Sequence, residues 1–402
     1  MSTQALFATR ASRMKASEIR ELLKLLDQPG IISFAGGIPD PALFPKEEFA
    51  QAFQTAMTAD HSDRALQYSV SEGYGPLREW LVDHMRGYGI ECGAENILIT
   101  SGSQQALDYL GKLYLSPGDT ALVGWPTYLG AINAFDAYEP RFDRLRLNGN
   151  QGAAEYAAAA GEGRVKFAYL SPDFANPTGE TVDLRAREGL LDLADALEIA
   201  VIEDGAYQAL RYEGDAIPPI LALEQKRKGS IEACRTIYCG SFSKTLSPGL
   251  RVGWIVAAQP VIQQLVLIKQ AADLHSPTLN QMTTEQVART CFDSHIPMLR
   301  RTYGARRNAM LQALEDHMPD GVEWTRPEGG MFIWLTLPEG VDGAALLARS
   351  LETVKLAFVP GRAFFPDGSG ANTVRLSFSN SDEATIREGI ARLGQVLKTQ
   401  IG

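Results

Sequence analysis

The chain of 402 residues has little cysteine or histidine and no arrangement of either that would hold a metal. Its four cysteines (Cys92, Cys234, Cys239 and Cys291) include no Cys-x-x-Cys pair, and its five histidines form no His-Glu-x-x-His. Neither a metal site nor a disulfide framework is implied, and the cysteines read as reduced core thiols. No uninterrupted apolar run approaches the ~18 residues that a membrane span needs. The first ten residues, Met1 to Arg10, lack the apolar core of a signal peptide. A soluble, cytoplasmic protein with no membrane partner is the expectation. A basic excess is also missing: 38 Lys and Arg stand against 48 Asp and Glu, for a formal charge of −10. That balance argues against a general nucleic-acid binder, which needs a basic face. There is no internal repeat, and the one biased tract, Ala157 to Ala160, reads as helix.

What is present is a regular alternation. A hydrophobic share of 45% and a charged share of 21% suit an ordinary globular chain long enough for two domains. Ser17 can cap an amphipathic helix in which Ile19, Leu22, Leu23 and Leu26 share a face, with Arg20 at the margin of that face. After it comes an extended segment, Ile31 to Pro41, broken by Gly36-Gly37. Strand-like runs follow at Ile97–Thr100, Ala121–Pro126, Val165–Leu170, Ile199–Ile202, Thr236–Cys239 and Gly253–Val256, with helical stretches such as Ala186–Leu197 between them. Buried runs alternating with helices predict an α/β fold, a mostly parallel sheet covered on both faces. Functional groups of such sheets gather past the carboxyl ends of the strands. Ser103, Tyr128, Asn176, Asp204, Ser243 and Lys244 all lie just past one. Beyond Asp273 the pattern changes to two long helices, about Asn280–Phe292 and Met298–Met318. Strand signals return at Gly330–Leu335 and Thr373–Phe378, and a last helix runs through Ile386, Ile390 and Leu393. These segments predict a smaller α+β domain.

The stretch from Ser241 to Gly253 places Lys244 and Arg251 on a Ser/Pro/Gly-rich connection between two buried strands. Two cations there need an anion nearby. The hydroxyls of Ser241 and Ser243 and the planar fork of Arg251 suit a phosphate dianion. A buried lysine beside another cation loses its proton more easily and can attack an aldehyde. Aldehyde and phosphate together suggest pyridoxal phosphate (PLP). Ser241-x-x-Lys244 also fits the Ser-x-x-Lys motif of penicillin-binding enzymes, but the Ser-Asp-Asn and Lys-Thr-Gly that accompany it occur nowhere in the chain. A solvated loop lysine is the plain alternative.

The set Asn176-Pro177-Thr178-Gly179, Asp204-x-x-Tyr207, Ser241-x-Ser243-Lys244, Arg251 and Arg375 resembles the fold-type I PLP-dependent aminotransferases of class I/II. The likeness runs in matching order from about Ile19 to Leu393. The segments Ile19–Lys24, Ser33–Gly37, Leu66–Ser69 and Gly102–Ala106 look like the branch of LysN-like 2-aminoadipate and kynurenine aminotransferase II enzymes.

The resemblance implies a large domain with a seven-stranded sheet and a smaller one. The expected division is an N-terminal arm and helix over 1–40, a PLP-binding domain over 41–285 and a small domain over 286–402. It also implies roles. Lys244 would bond the cofactor and shuttle the substrate proton, and Asp204 would pair with the pyridine nitrogen. Asn176 and Tyr207 would bond the ring oxygen, and Tyr128 would stack on the ring. Ser103, Gln104, Ser241, Ser243 and Arg251 would hold the phosphate, with Tyr68 reaching it from the other subunit of a homodimer. Arg375 would grip the substrate α-carboxylate, assisted by Gly37 and Asn176, and Arg20 would select acidic side chains. The expected activity is amino transfer between an amino acid and a 2-oxo acid. Two alternatives share the fold: a PLP lyase, and the effector domain of a transcription regulator. Only about 30 residues precede Ser33, too few for the regulator's DNA-binding module.

Overall fold

Short, largely apolar runs with no solvent-facing residue form strands buried on both sides, and five such strands line the centre of this chain. The computed structural model describes residues 3–13, 30–147 and 151–401. The helix expected around Ile19 to Leu26, with Arg20, lies outside the described residues.

In chain order the strands are β1 (Ile32–Ser33), β2 (Ile97–Thr100), β3 (Thr120–Val123), β4 (Arg141–Arg144), β5 (Val165–Leu170), β6 (Ala200–Asp204), β7 (Thr236–Ser241) and β8 (Gly253–Val256). They continue with β9 (Glu323–Trp324), β10 (Phe332–Thr336), β11 (Leu356–Ala357), β12 (Val359–Pro360) and β13 (Thr373–Ser377). The helices used below are α1 (Gly75–Gly87), α2 (Ser103–Tyr114), α3 (Leu184–Leu197), α4 (Ile220–Lys228), α5 (Gln259–Ala272), α6 (Thr278–His317) and α7 (Glu383–Ile401).

The chain has the α/β architecture of the fold-type I enzymes. Its large sheet has seven strands in the order β2-β8-β7-β6-β5-β3-β4. The pairs from β7 to β4 are parallel, while β8 runs against both β2 and β7. Alternate residues feed opposite cores: Phe167, Tyr169 and Ile202 pack on the face covered by α2 and α5, while Ala168, Leu170 and Val201 pack on the α3 side. That double burial accounts for the unbroken apolar runs. β4, Arg141-Phe142-Asp143-Arg144, was not expected from the sequence. It is an edge strand with no fully buried residue, so its charges mask the strand signal.

A second, antiparallel sheet has the order β12-β13-β10-β9. The N-terminal β1 pairs in parallel with β11, and Phe34 N–H donates to Ala357 O at 2.8 Å. Residues some 320 positions apart in sequence thereby share one ladder, and the backbone after β1 is led toward the large sheet.

The two long helices expected around Pro297 are one. α6 runs unbroken for 40 residues, about 60 Å at a rise of 1.5 Å per residue. Pro297 removes one N–H and should favour a break. The flanking turns are nevertheless held, because Phe292, His295, Ile296, Leu299 and Tyr303 are all buried. No helix among the described residues is long and apolar enough to cross a membrane.

Arg187 on α3 shows how the loop after β5 is fixed. Its side chain is fully buried and donates to the carbonyls of Val182 (2.9 Å), Pro218 (3.0 Å) and Pro172 (3.2 Å) and to Asp173 Oδ1 (2.8 Å). Removing one partner of such a pair strands the other. Arg187→Met should cost about 3–5 kcal/mol, read as a lower thermal midpoint. Arg187→Lys should recover only part of it, since an ammonium lacks the planar fork. An unchanged midpoint in Arg187→Met would show that Asp173 finds other compensation.

Candidate active site

The carboxyl ends of β2, β5, β6 and β7 lie along one rim of the sheet. Because β8 runs the opposite way, its amino end meets the same rim and brings Arg251 with it. Gly253, the first residue of β8, sits against the turn after β2: a Cβ there would lie 2.9 Å from Gly102 C and Ser103 N. Only a glycine lets these two backbones touch. The rim encloses a cavity of about 190 Å³. It is lined by Ser103, Tyr128, Asn176, Asp204, Tyr207 and Lys244, with Arg375 and Gly37 arriving from the second sheet and the N-terminal segment. A larger cleft of about 720 Å³ beside Tyr88, Arg211 and Arg300 shares no residue with it. Arg211 in that cleft is already paired with Glu328 and Asp173, whereas the cations of the small cavity are not.

Lys244 extends toward the N-terminal segment, where its Nζ donates to Gly37 O at 2.9 Å. Burial, helped by the nearby charges of Arg375 and Arg251, pulls its pKa down to about 8, against the opposing pull of Asp204. Asp204 is buried, which raises its pKa. That rise is resisted by the hydroxyl of Tyr169, which donates to Oδ2 at 2.9 Å, and by the N–H of Ala206. Arg375 is 2% exposed on β13, and burial lowers its pKa to about 10. Its Nη1 donates to Asn176 Oδ1 at 2.8 Å and its Nη2 to Ala35 O at 2.7 Å. The guanidinium lies 4.4 Å from the ring centre of Phe332 and 5.0 Å from that of Phe364. Its Nε is buried with no hydrogen-bond partner. Such a donor calls for an acceptor brought from outside.

Beyond the Ser103 side of the cavity, the exposed Arg251 donates from Nη1 to Ser243 Oγ at 3.3 Å and from Nη2 to Ser101 O at 3.4 Å. A Cβ on Gly102 would overlap this guanidinium, so it lies flat against the turn that opens α2. Ser103 begins α2 there, and a helix amino end with a guanidinium beside it suits a phosphate. Among the described residues no carboxylate forms an ion pair with Lys244, Arg251 or Arg375. One deep acceptor, Asp204, stands across from them. This donor set fits PLP: an amine for the aldehyde, a carboxylate for the ring nitrogen, and separate cationic ends for a phosphate and a substrate carboxylate.

The other expected residues are more varied in placement. Gln104 Nε2 donates to Gly130 O at 2.7 Å, and its Oε1 accepts from Tyr128 at 3.5 Å. Ser241 ends β7, and its Oγ accepts from Ser243 N–H at 3.1 Å, shaping the turn before Lys244. Tyr207 lies with its ring centre 5.8 Å from Lys244 Nζ. Tyr68 is 79% exposed, outside the cavity of its own chain. Arg20 lies outside the described residues. Sequence reasoning missed Tyr169, whose place in an apolar strand gave no sign of its polar contact. It also missed the carbonyls of Ala35 and Gly37, which no side-chain pattern reveals.

A family model described as Aminotransferase class I and II matches residues 31–393. The chain is 44% identical over 401 residues to the 2-aminoadipate transaminase of Thermus thermophilus, across 99% of this chain and 98% of that one. It is 42% identical over 404 residues to aromatic-amino-acid aminotransferase 1 of Thermococcus litoralis, across 98% and 94%. A solved structure of LysN, the alpha-aminoadipate aminotransferase of Thermus thermophilus, complexed with N-(5'-phosphopyridoxyl)-L-leucine, matches with a TM-score of 0.89. That match is at 42% identity, over 100% of this chain and 99% of the other.

The amine of Lys244 should be neutral over an unusual range. With its pKa at about 8 rather than the ordinary 10.5, the cofactor-free chain gains the neutral amine as pH rises through about 8. About a tenth is then neutral at pH 7, against well under a thousandth for an ordinary lysine. Pulse acylation with peptide mass spectrometry across pH should give Lys244 a midpoint about 8, and Arg375→Met should move it upward. A wild-type midpoint near 10 would mean that the amine is solvated.

Proposed function

The chain belongs to the class I and II aminotransferases and is a PLP-dependent enzyme, and on that premise we propose that it moves an amino group from an L-amino acid to a 2-oxo acid in a ping-pong exchange. The proposed donors are 2-aminoadipate, glutamate, and aromatic or branched-chain amino acids, in line with the names of its relatives. The observation that carries the site assignment is that Lys244 and Arg375 line one cavity, with Arg251 beside it against the Gly102–Ser103 turn, and that none of the three forms an ion pair among the described residues.

When bound, PLP supplies an aldehyde for the amine and a protonated ring that accepts the electron pair freed at the substrate α-carbon. The chain's residues do the rest. Asp204 holds the proton on the ring nitrogen, and Tyr169 keeps the carboxylate ionised and aimed by its hydrogen bond. Lys244 would hold the cofactor when substrate is absent, and once freed its neutral amine would carry the proton between the substrate α-carbon and the cofactor C4′ carbon. Tyr207 and Asn176 bond the ring oxygen, and Tyr128 covers the ring face, an apolar contact that also excludes water. Ser103, Gln104, Ser241, Ser243 and Arg251 hold the phosphate, Ser241 by shaping the turn. Arg375 takes the α-carboxylate in its fork, with Gly37 and Asn176 beside it.

The proposal extends to assembly. Tyr68 is too exposed to serve its own cavity, and we assign it to the phosphate of the partner subunit in a homodimer. The proposed units are an arm over 1–40, a cofactor-binding domain over 41–285 and a small domain over 286–402. The assignment of Arg20 to acidic side chains stands as part of this reading.

Borohydride reduction of the holoenzyme and peptide mapping should place the pyridoxyl group on Lys244; a label on another lysine would sink the assignment.

Arg375→Met should lower kcat/KM by about 2–5 kcal/mol, the scale of truncating one partner of a buried charge pair. The loss should be alike for glutamate and leucine, because every donor carries the α-carboxylate. A penalty confined to dicarboxylic donors would move Arg375 to a side-chain role.

A further inference from the structure

Lys269, near the end of α5, is fully buried yet touches no part of the cavity. Its ammonium has three donors, and all three are used: toward Gln105 Oε1 at 2.9 Å, Ser276 Oγ at 3.0 Å and Asp273, one helical turn on, at 3.0 and 3.1 Å. A buried lysine with every donor satisfied is costly to install, and a plain α5–α2 contact could be made by leucine. Its partners explain the choice. Gln105 lies in the first turn of α2, and its Oε1 also accepts from Ser101 N–H at 2.9 Å. Ser101 Oγ meets Ser276 Oγ at 2.9 Å and Asp273 Oδ2 at 3.3 Å. Gln105 Nε2 closes the ring on Asp273 Oδ2 at 2.8 Å. The N–H and Oγ of Ser101 are therefore tied to partners of the buried Lys269, with Asp273 at the exposed edge of the cluster, while its carbonyl accepts from Arg251.

We propose that Lys269, with Asp273, is a positioning residue for the phosphate end of the site: the pair clamps Ser101 and Gln105 so that the turn, whose Gly102 N–H is spent on Thr100 O, keeps the amide and hydroxyl of Ser103 aimed at the phosphate before the cofactor arrives. The inference rests on the assignment of Ser103, Ser243 and Arg251 to the phosphate. Gly102 has a φ of +82°, a conformation free to relax in an untethered turn. A turn that must be ordered on binding loses affinity for whatever it binds. The clamp therefore acts on the phosphate alone, and the aldehyde, ring and carboxylate contacts do not pass through it.

That selectivity provides the test. Dissociation constants of PLP and of pyridoxal, which lacks the phosphate, are measured on the cofactor-free full-length chain by quenching of tryptophan fluorescence. Lys269→Met should weaken PLP by about 10–100-fold while leaving pyridoxal within about twofold. Ser276→Ala keeps the ion pair but removes one contact to Lys269 and one to Ser101, and it should weaken PLP alone by about threefold. Should Lys269→Met fail to fold, the Ser276→Ala result decides. A pair serving only fold stability would lower the thermal midpoint and change both constants alike, or neither; either outcome overturns the proposal. Arg251→Met separates the two readings. If it leaves the preference for PLP over pyridoxal intact, the phosphate assignment itself is wrong. If it abolishes that preference while both Lys269→Met and Ser276→Ala retain it, only the clamp is wrong.

Discussion

Lys244 and Arg375 line one cavity of about 190 Å³, Arg251 lies beside it against the Gly102–Ser103 turn, and among the described residues none of the three meets a carboxylate in an ion pair. Taking a charge out of water costs several kcal/mol after relaxation, unless a partner compensates. Here the protein supplies partial compensation through carbonyls, Gly37 for Lys244 and Ala35 for Arg375, while Arg251 stays exposed and rests on the carbonyls of Ser101 and Pro248. The remainder falls to ligands. A phosphate at one end and a substrate carboxylate at the other would each complete a set of donors that the fold leaves open. The lowered pKa of Lys244 follows from the same shortage of anions, because its nearest charged neighbours include two guanidiniums. Its readiness to act as a neutral amine is thus a consequence of the binding sites on either side of it.

The convergence depends on two features of topology. One reversed strand, β8, returns the chain to the functional rim at its amino end, so that Arg251 arrives beside the turn after β2. The other is the β1–β11 ladder. It fixes the N-terminal segment so that the carbonyls of Ala35 and Gly37 face Arg375 and Lys244, residues that belong to different sheets. A Cβ at Gly37 would lie 2.6 Å from Phe332 Cζ, so the segment can pass the β10 side chain only as bare backbone. The cavity is therefore bounded by the rim of the large sheet, the N-terminal segment and the second sheet, each aligned by its own ladder.

Behind the contact residues lies a second set that sets their charge and aim. Tyr169 holds Asp204 from within the sheet, Arg187 pins the loop bearing Asn176, and the Lys269–Asp273 pair grips the opening of α2. Tyr169, Arg187 and Lys269 are fully buried and hydrogen-bonded, as burial of polar groups requires, while Asp273 reaches the surface. None of these residues lines the cavity.

From the residues alone, the α/β class, the strands of the large sheet other than β4, and most of the cavity lining were legible. Ser103, Tyr128, Asn176, Asp204, Tyr207, Lys244 and Arg375 are all brought together. The reason is local: each but Arg375 sits at or within a few residues of the end of an apolar run, and a strand's end determines where the next few residues go. What remained hidden depends on partners distant in sequence. Tyr169 read as a core residue because its acceptor lies on a neighbouring strand, 35 positions away. The carbonyl partners of Arg375 and Lys244 depend on the β1–β11 register, and backbone atoms leave no mark in a side-chain pattern. α6 continues through Pro297 because buried side chains on both flanking turns outweigh one lost hydrogen bond. The sequence by itself determined which groups stand at the rim, through local strand and turn chemistry. The tertiary structure alone decided which charges lack partners and which turns are clamped, because charge compensation and burial depend on distances between segments that only packing sets.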